Sequence, residues 1–223
     1  MKVRISSGYG KLLLMLKPIR WKTFLRDFLV AQFGFVIYGL SIALIIQADL
    51  GTGPWAVLAV ALADLFGTSP GLMLMATGVL VLVGAILLKE QIGWGTISNI
   101  LFIGPWVDFF LVYIPPFTGN LWIQVPALLI SILLTGIATA IYIGVNAGAG
   151  PRDSLMLAIS RVTGRTVLVS RAIIELLVVV IGWILEGPVG IGTLAFALLI
   201  GPAVQTFFKI FKVRSHLPGQ ENE

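Results

Sequence analysis

Two pairs of charged side chains lie in or beside apolar stretches, where an ionised group is costly and a functional role is expected. Arg171 and Glu175 are four residues apart, so a helix would place them on one face, where they can pair. Arg152 and Asp153 open a short predicted helix, and a carboxylate in a first turn suits the positive end of the helix dipole. These four residues could bind a solute or carry a proton. The structural alternatives are an ion pair that joins helices for Arg171 and Glu175, and helix capping for Asp153.

Two further polar residues, Asn99 and Asp108, lie in another long apolar stretch. An amide or carboxyl group inside a membrane segment is a candidate for a solute site for the same reason. Asp108 lies far along its stretch, so exposure at the outer membrane boundary is its structural alternative. The site prediction therefore combines charged and neutral polar groups from two separate stretches.

A Gly-x-Gly-Pro motif occurs twice, at residues 51–54 and 148–151. Its glycines allow a sharp turn and a close backbone approach, and its proline starts a helix whose first N–H groups lack partners. Such a helix start suits an anion or a polar ligand group. We predict that both starts line a solute pathway; passive turns that lead into interfacial helices are the alternative. The full set of candidate binding residues is Gly51, Gly53, Pro54, Asn99, Asp108, Gly148, Gly150, Pro151, Arg152, Asp153, Arg171 and Glu175.

The two motifs belong to a longer internal repeat with a constant offset of 97 residues and no gap. Gly and Pro stay in register throughout, which shared apolar composition alone would not produce. The repeat is too long for a solenoid unit, and in an apolar chain it indicates a duplicated membrane module of the kind common among transporters. Four charged positions break the symmetry: Arg152, Asp153, Arg171 and Glu175 stand where the first copy has Trp55, Ala56, Leu74 and Gly78.

Composition assigns the chain to the integral membrane proteins. Of its 223 residues 58% are hydrophobic and only 11% are charged, against about 25% charged in soluble domains. Six stretches are long enough to span a bilayer. They are approximately Phe28–Gln47, Pro70–Leu88, Gly93–Ile114, Leu121–Val145, Val167–Leu185 and Gly190–Phe211. Two shorter apolar stretches, Pro54–Phe66 and Pro151–Thr163, follow the Gly-x-Gly-Pro motifs and are too short to cross comfortably.

The charge distribution predicts the orientation of these spans. With six spans and a cytoplasmic N-terminus, all 15 Lys and Arg residues lie on the cytoplasmic side, as the positive-inside rule requires. If the short helices also crossed, Lys89 and Arg152 would lie outside. We therefore predict an all-α polytopic protein of two inverted repeats, each with three transmembrane helices and one short re-entrant or interfacial helix. The expected divisions are a basic arm at 1–26, a first repeat at 27–114, an outside loop at 115–120, a second repeat at 121–211 and a polar tail at 212–223.

The sequence contains no pattern typical of an enzyme. Cysteine is absent, the single His216 lies in the polar tail, and no HExxH, Gly-x-Ser-x-Gly or phosphate-binding loop occurs. We expect no catalytic residues, no cofactor and no metal site. The predicted function is a membrane transporter or permease for a small polar or anionic solute, with both termini cytoplasmic. The alternative is a non-transporting membrane scaffold or accessory protein. The expected partners are the lipid bilayer and the solute, and nucleic acid is not expected. Whether the chain forms a homo-oligomer is left open.

The repeat carries a set of motifs in each half. The first-half motifs are Gly51-x-Gly53-Pro54-Trp55, Gly67-x-Ser69-x-Gly71, Gly95-Thr96-Ile97-x-Asn99 and Ile103-Gly104-x-x-x-Asp108. The second-half motifs are Gly148-x-Gly150-Pro151-Arg152-Asp153-x-Leu155-Met156, Arg171-x-x-x-Glu175 and residues 187–194. Together they resemble the motifs of the YczE/YyaS/YitT-type bacterial membrane proteins, and those of the YczE-like branch most closely. The resemblance spans about residues 28–211 and implies the same membrane fold and a location in the bacterial inner membrane. A transporter role is suspected for that family, and the resemblance supplies no substrate.

Overall fold

A computed structural model describes residues 16–213, and in this range the chain forms eight α-helices. The first four are α1 (Phe24–Gln47), α2 (Pro54–Phe66), α3 (Pro70–Leu87) and α4 (Trp94–Tyr113). The second four are α5 (Leu121–Gly144), α6 (Pro151–Thr163), α7 (Val167–Ile184) and α8 (Ile191–Ile210). The helices α1, α3, α4, α5, α7 and α8 are long and apolar enough to cross a membrane. The predicted all-α polytopic fold with six spans and two short helices is confirmed.

The repeat is reproduced in three dimensions. Every helix of the second half begins and ends 97 residues after its counterpart in the first half. Even the turns match, since the non-glycine residues with positive φ include Asp49 with Asn146 and Lys89 with Glu186. Each repeat contributes three spans, an odd number, so the second repeat is inverted relative to the first.

The helix starts follow the local sequence. Pro54 and Pro151 occupy the first turns of α2 and α6, where the missing N–H costs nothing. Both short helices end at a left-handed glycine, Gly67 or Gly164. The first span begins at Phe24, a few residues before the predicted start. Asp27, in the first turn of this span, does not face lipid because its carboxylate pairs with Arg20 and Arg26.

Helices α1 and α5 form the centre of the molecule and pack antiparallel. Gly34 of α1 lies against the α5 backbone at Ala138, and Ser41 donates a hydrogen bond to the carbonyl of Ser131 at 2.9 Å. Around this pair, α4 packs on α1 and α8 packs on α5, while α2 lies against α7 and α6 lies against α3. Each short helix therefore packs on a span of the other repeat, which interlocks the two copies.

The first glycine of each Gly-x-Gly-Pro motif is required by its conformation and its neighbours. Gly51 has φ +96° and Gly148 has φ +119°, both in the region that disfavours side chains. A Cβ on Gly51 would lie 2.8 Å from the Cα of Gly190, and one on Gly148 would lie 2.8 Å from the Cα of Gly93. These turns thus rest directly on the residues that precede α8 and α4, and they anchor the starts of those helices.

Residues 16–23 dock onto one end of the helix assembly. The Lys17 amide donates to the Ile92 carbonyl at 2.8 Å, and its Nζ donates to Asn146 Oδ1 at 2.6 Å. Burial, followed by the nearby Arg20 charge, lowers the pKa of Lys17. Arg20 also donates to the Val145 carbonyl and pairs with Asp27 at 3.2 Å. Residues 1–15 of the predicted basic arm lie outside the described part of the chain.

Candidate functional site

A cavity of about 170 Å³ lies where the two repeats meet. Both short helices start in its wall, since Gly53 and Pro54 of one motif and Gly150 and Pro151 of the other line it. Their first backbone N–H groups lack helical partners, so the cavity receives the positive ends of two helix dipoles. The two helix starts therefore share one space, and that this space is a solute pathway stays a prediction.

Trp55 and Arg152, which occupy equivalent positions in the two repeats, contact each other in the cavity. The Arg152 guanidinium carbon lies 4.8 Å from the centre of the Trp55 ring, a cation–π arrangement. Trp55 is 8% exposed, and its Nε1 has no hydrogen-bond partner among the described residues. Residues that occupy equivalent positions in inverted repeats can touch only near the axis that relates the repeats. Arg152 and Trp55 therefore mark the centre of the molecule.

A cluster of polar groups surrounds Gly150. Tyr142 donates its hydroxyl hydrogen to Asp153 Oδ2 at 3.0 Å. A Cβ built on Gly150 would lie 3.3 Å from that carboxylate oxygen, 3.3 Å from the Tyr142 hydroxyl and 3.6 Å from Asn99 Nδ2. The glycine thus leaves the backbone of the helix start open to these groups. Asn99, Asp153 and Tyr142 all line the cavity.

Arg171 and Glu175 lie on the cavity wall formed by α7. Arg171 Nε donates to Glu175 Oε1 at 2.8 Å, which is the i, i+4 pair expected from the spacing. Their side chains remain 37% and 20% exposed, and both line the cavity. The pair is therefore formed within the wall of an open space and not between two packed helices.

Three predicted site residues lie outside the cavity lining, namely Gly51, Gly148 and Asp108. The glycines shape the turns described above. Asp108 fixes the end of α4 to the start of α3, because it accepts hydrogen bonds from the Ser69 hydroxyl at 2.6 Å and from the Gly71 amide at 2.8 Å.

The contact between α3 and α4, here called the α3–α4 seam, is closed. Gly71 and Gly104 bring the two backbones together so tightly that a Cβ on either residue would overlap the other's carbonyl. Asp108 lies one turn further along α4 and holds the same end of the seam. The two helices pack along their length, and Gly78 and Ile100, which meet in this seam, line the cavity.

The equivalent α7–α8 seam is open. Helix α8 packs extensively on α5 but not on α7. For Gly201, the counterpart of Gly104, no atom of residues 16–213 lies within 4 Å of a Cβ built on it. Gln205 and Thr166, the counterparts of Asp108 and Ser69, are both exposed. Arg171 and Glu175 on α7 and Val204 and Phe208 on α8 line the cavity beside this gap. The repeats thus share one architecture but hold two different conformations.

Sequence reasoning missed the two tyrosines of the site, Tyr38 and Tyr142. Both line the cavity, and their rings lie 6.3 Å apart. Tyr38 lies in the middle of a span, where an aromatic hydroxyl is unlike an interfacial anchor, and that position was a usable signal. Tyr142 lies near the end of α5, where its type and position match an ordinary anchor, so its contact with Asp153 had no signal in the sequence.

No cluster of three His, Asp or Glu side chains suited to a metal ion occurs within residues 16–213. The polar groups that line the cavity include two guanidinium groups, two carboxylates, an amide, phenol hydroxyls, the hydroxyls of Ser41, Thr135 and Thr139, and bare backbone. Such a set can bind the charged and hydrogen-bonding groups of a small organic solute.

Comparison with known proteins places the chain in a family. Residues 25–209 match the model of a family of unknown function, DUF6198. An uncharacterised protein of Haemophilus influenzae is 33% identical over 200 residues, covering 89% of this chain and 90% of the relative. The uncharacterised membrane protein YczE of Bacillus subtilis is 32% identical over 175 residues, with 75% and 79% covered. The uncharacterised protein YyaS of the same organism is 34% identical over 181 residues, with 79% and 90% covered.

No solved structure matches the chain. The relatives confirm the resemblance to YczE and YyaS inferred from the repeated motifs. With a model match across most of its length and relatives above 30% identity, the chain belongs to the DUF6198 family of membrane proteins.

Proposed function

We propose that the protein is a transporter of the bacterial cytoplasmic membrane that moves a small polar or anionic solute through the central cavity by alternating access. The observation that carries this proposal is the difference between the two seams. One repeat holds its seam closed with Asp108, while the other leaves the equivalent seam open beside charged cavity residues. If the repeats exchanged conformations, the cavity would open toward the opposite side of the membrane.

The counterpart residues are suited to such an exchange. In the swapped state Gln205 would meet Thr166 and the amide of Leu168, as Asp108 now meets Ser69 and the amide of Gly71. A glutamine side-chain oxygen can accept from a hydroxyl and from a backbone N–H, as the carboxylate of Asp108 does. Thr166 already caps the start of α7 by accepting from Val169, as Ser69 caps α3 by accepting from Leu72.

Charge supports the orientation of this state. With the termini in the cytoplasm, the basic residues beside the open seam, which include Arg165 and Lys209, face the cytoplasm as the positive-inside rule requires. The α7–α8 seam then opens inward and the α3–α4 seam closes the outer side. The competing function, a membrane scaffold or accessory protein, needs no exchange and predicts one fixed arrangement of the seams.

Matched cysteine pairs separate the two functions, and the natural chain has no cysteine to interfere. The pair Ser69→Cys with Asp108→Cys reports closure of the α3–α4 seam, and Thr166→Cys with Gln205→Cys reports closure of the α7–α8 seam. A disulfide requires Cα atoms within about 7 Å. A transporter that alternates should cross-link both pairs under mild oxidation in membranes. Cross-linking is measured as the loss of free thiols by mass tagging.

The control pair, Ser69→Cys with Gln205→Cys, joins opposite ends of the molecule and should not cross-link in either state. Cross-linking of the first pair alone, under conditions that leave the second pair fully reduced, would overturn the transport proposal and favour the scaffold.

A further inference from the structure

Among the described residues, the charged side chains of the cavity lie on one wall, and that wall belongs to the second repeat. The residues Arg152, Asp153, Arg171 and Glu175 all lie on α6 and α7. Their counterparts in the first repeat carry no charge. The other side of the cavity carries no charge and is mainly apolar, with Ile42, Ile45, Phe196 and Ile200 beside the hydroxyls of Ser41, Thr135 and Thr139. A solute that fills this space needs a polar end and an apolar end.

The charged groups differ in how completely they are paired. Arg171 and Glu175 pair with each other at 2.8 Å. Asp153 accepts from the neutral Tyr142 hydroxyl alone, within the described part of the chain. The Arg152 guanidinium rests on the face of Trp55, and in residues 16–213 no hydrogen-bond acceptor reaches it. Arg152, a cation, and Asp153, an anion, therefore line the same cavity without a salt bridge to any residue in the range 16–213.

The cavity is formally neutral, since it holds two guanidinium groups and two carboxylates. A purely anionic solute would satisfy Arg152 and leave the Asp153 charge uncompensated beside it. A purely cationic solute would do the reverse. Uncompensated charge in a low-dielectric space is costly, so a solute that carries both charges fits this lining best. A carboxylate would bind Arg152, with Asn99 as a further donor, and an ammonium group would bind Asp153.

We infer that the transported solute is a small zwitterion, with a carboxylate and an ammonium group at one end and a short apolar group at the other, the chemistry of an apolar α-amino acid. The inference rests on the proposed transport function and specifies its solute. The cavity volume agrees with a small solute, since about 170 Å³ is the space of roughly six water molecules at about 30 Å³ for each.

The test compares three probes that differ only in their charged groups: L-leucine, 4-methylpentanoate, which lacks the ammonium group, and isopentylamine, which lacks the carboxylate. Binding to the purified full-length protein is measured by thermal shift and titration calorimetry. Leucine should bind at least tenfold more tightly than either analogue. If 4-methylpentanoate bound as tightly as leucine or more tightly, the inference of a zwitterion would be overturned in favour of an anion. If none of the three probes bound, the inference would be overturned as well.

Charge-changing variants make the assignment of each group specific. Arg152→Gln should weaken leucine binding at least tenfold while isopentylamine binding is retained. Asp153→Asn should weaken leucine binding while 4-methylpentanoate binding is retained or improved. This reversal of preference is a result that simple misfolding cannot produce. Arg161→Gln is the matched control, because Arg161 lies on the same short helix but pairs with Glu90 outside the cavity, and it should leave binding unchanged. Equal losses for all three probes in both variants would contradict the assignment.

The outcome is distinguishable from failure of the transport proposal. Cross-linking of both seams without leucine binding would support the transport proposal and overturn the inference that the solute is a zwitterion. Leucine binding with a permanently open α7–α8 seam, and without leucine uptake into proteoliposomes, would identify a binding protein that does not transport.

Discussion

At the scale of single residues, Asp108 shows how a polar group in a span can serve conformation and not binding. Its carboxylate accepts from a hydroxyl and from a backbone amide at the start of the neighbouring helix. It therefore satisfies one of the unpaired amides of a helix start and places a negative charge at the positive end of the dipole. Both effects exist only while the α3–α4 seam is closed, so Asp108 favours the state described here over a state in which that seam is open.

We expect Asp108→Ala to open the α3–α4 seam more often. Hydrogen bonds to charged groups contribute about 1.5–3 kcal/mol each, so the population of the open seam should rise about tenfold or more. The readout is the labelling rate of a Thr139→Cys variant, whose position lines the cavity, with an impermeant maleimide applied from outside intact cells. The same change at the exposed Asp64 is the control and should leave the rate unchanged. An unaltered rate in Asp108→Ala would show that the carboxylate does not hold the seam.

At the scale of helix pairs, small residues decide which seam can close tightly. Gly71 and Met75 of α3 face Gly104 in the closed seam. Their counterparts on α7 are Leu168 and Ala172, so the large and small side chains exchange places between the repeats. The α7–α8 seam therefore has room at a different point along its length, and its closed form should be similar to the α3–α4 seam but not identical. Packed interfaces of this kind have discrete arrangements, which suits a two-state exchange.

A pair of glycine substitutions should bias this exchange in opposite directions. Gly104→Ala adds a Cβ that overlaps the Gly71 carbonyl, so it should open the α3–α4 seam and speed cross-linking of the Thr166→Cys and Gln205→Cys pair. Gly201→Ala adds a Cβ in open space, so it should raise helix stability by up to about 1 kcal/mol and slow the same cross-linking by obstructing closure.

Thermal unfolding of both glycine variants provides the check on folding. A Gly104→Ala protein that unfolds at a much lower temperature and cross-links neither pair would indicate general disruption of the packing. Faster cross-linking in Gly201→Ala than in the parent would contradict the two-seam interpretation.

The features that the two repeats share could be predicted from the sequence. The features in which the repeats differ in conformation could not. The register of Gly and Pro was enough to predict the bounds of the short helices, and the i, i+4 spacing was enough to predict the Arg171–Glu175 pair. The contact of Trp55 with Arg152 was not predicted, because alignment pairs equivalent residues without saying which pairs lie on the symmetry axis. The open seam was not predicted either, because Gly104 and Gly201 are the same residue type in the two repeats and differ only in what packs against them.

At the scale of the whole molecule, the orientation of the fold decides which side of the membrane the cavity faces. Lys89 and Glu186 provide a matched pair for this question. They occupy equivalent turns 97 residues apart, with φ of +60° and +63°, and both are exposed. Because the repeats are inverted, these two turns must lie on opposite sides of the membrane. Any difference in their reactivity therefore reports sidedness and not local conformation.

We expect a thiol introduced by Glu186→Cys to react with an impermeant maleimide in intact cells, and one introduced by Lys89→Cys to react only after permeabilisation. Thr118→Cys, in the loop between the repeats, should behave like Glu186→Cys. The physical reason is the positive-inside rule, because the Lys and Arg residues that do not line the central cavity lie on the cytoplasmic side of the six-span fold. Labelling of Lys89→Cys in intact cells, with protection of Glu186→Cys, would reverse the orientation. The α7–α8 seam would then open to the outside, and the structure would represent the outward-facing state of the same exchange.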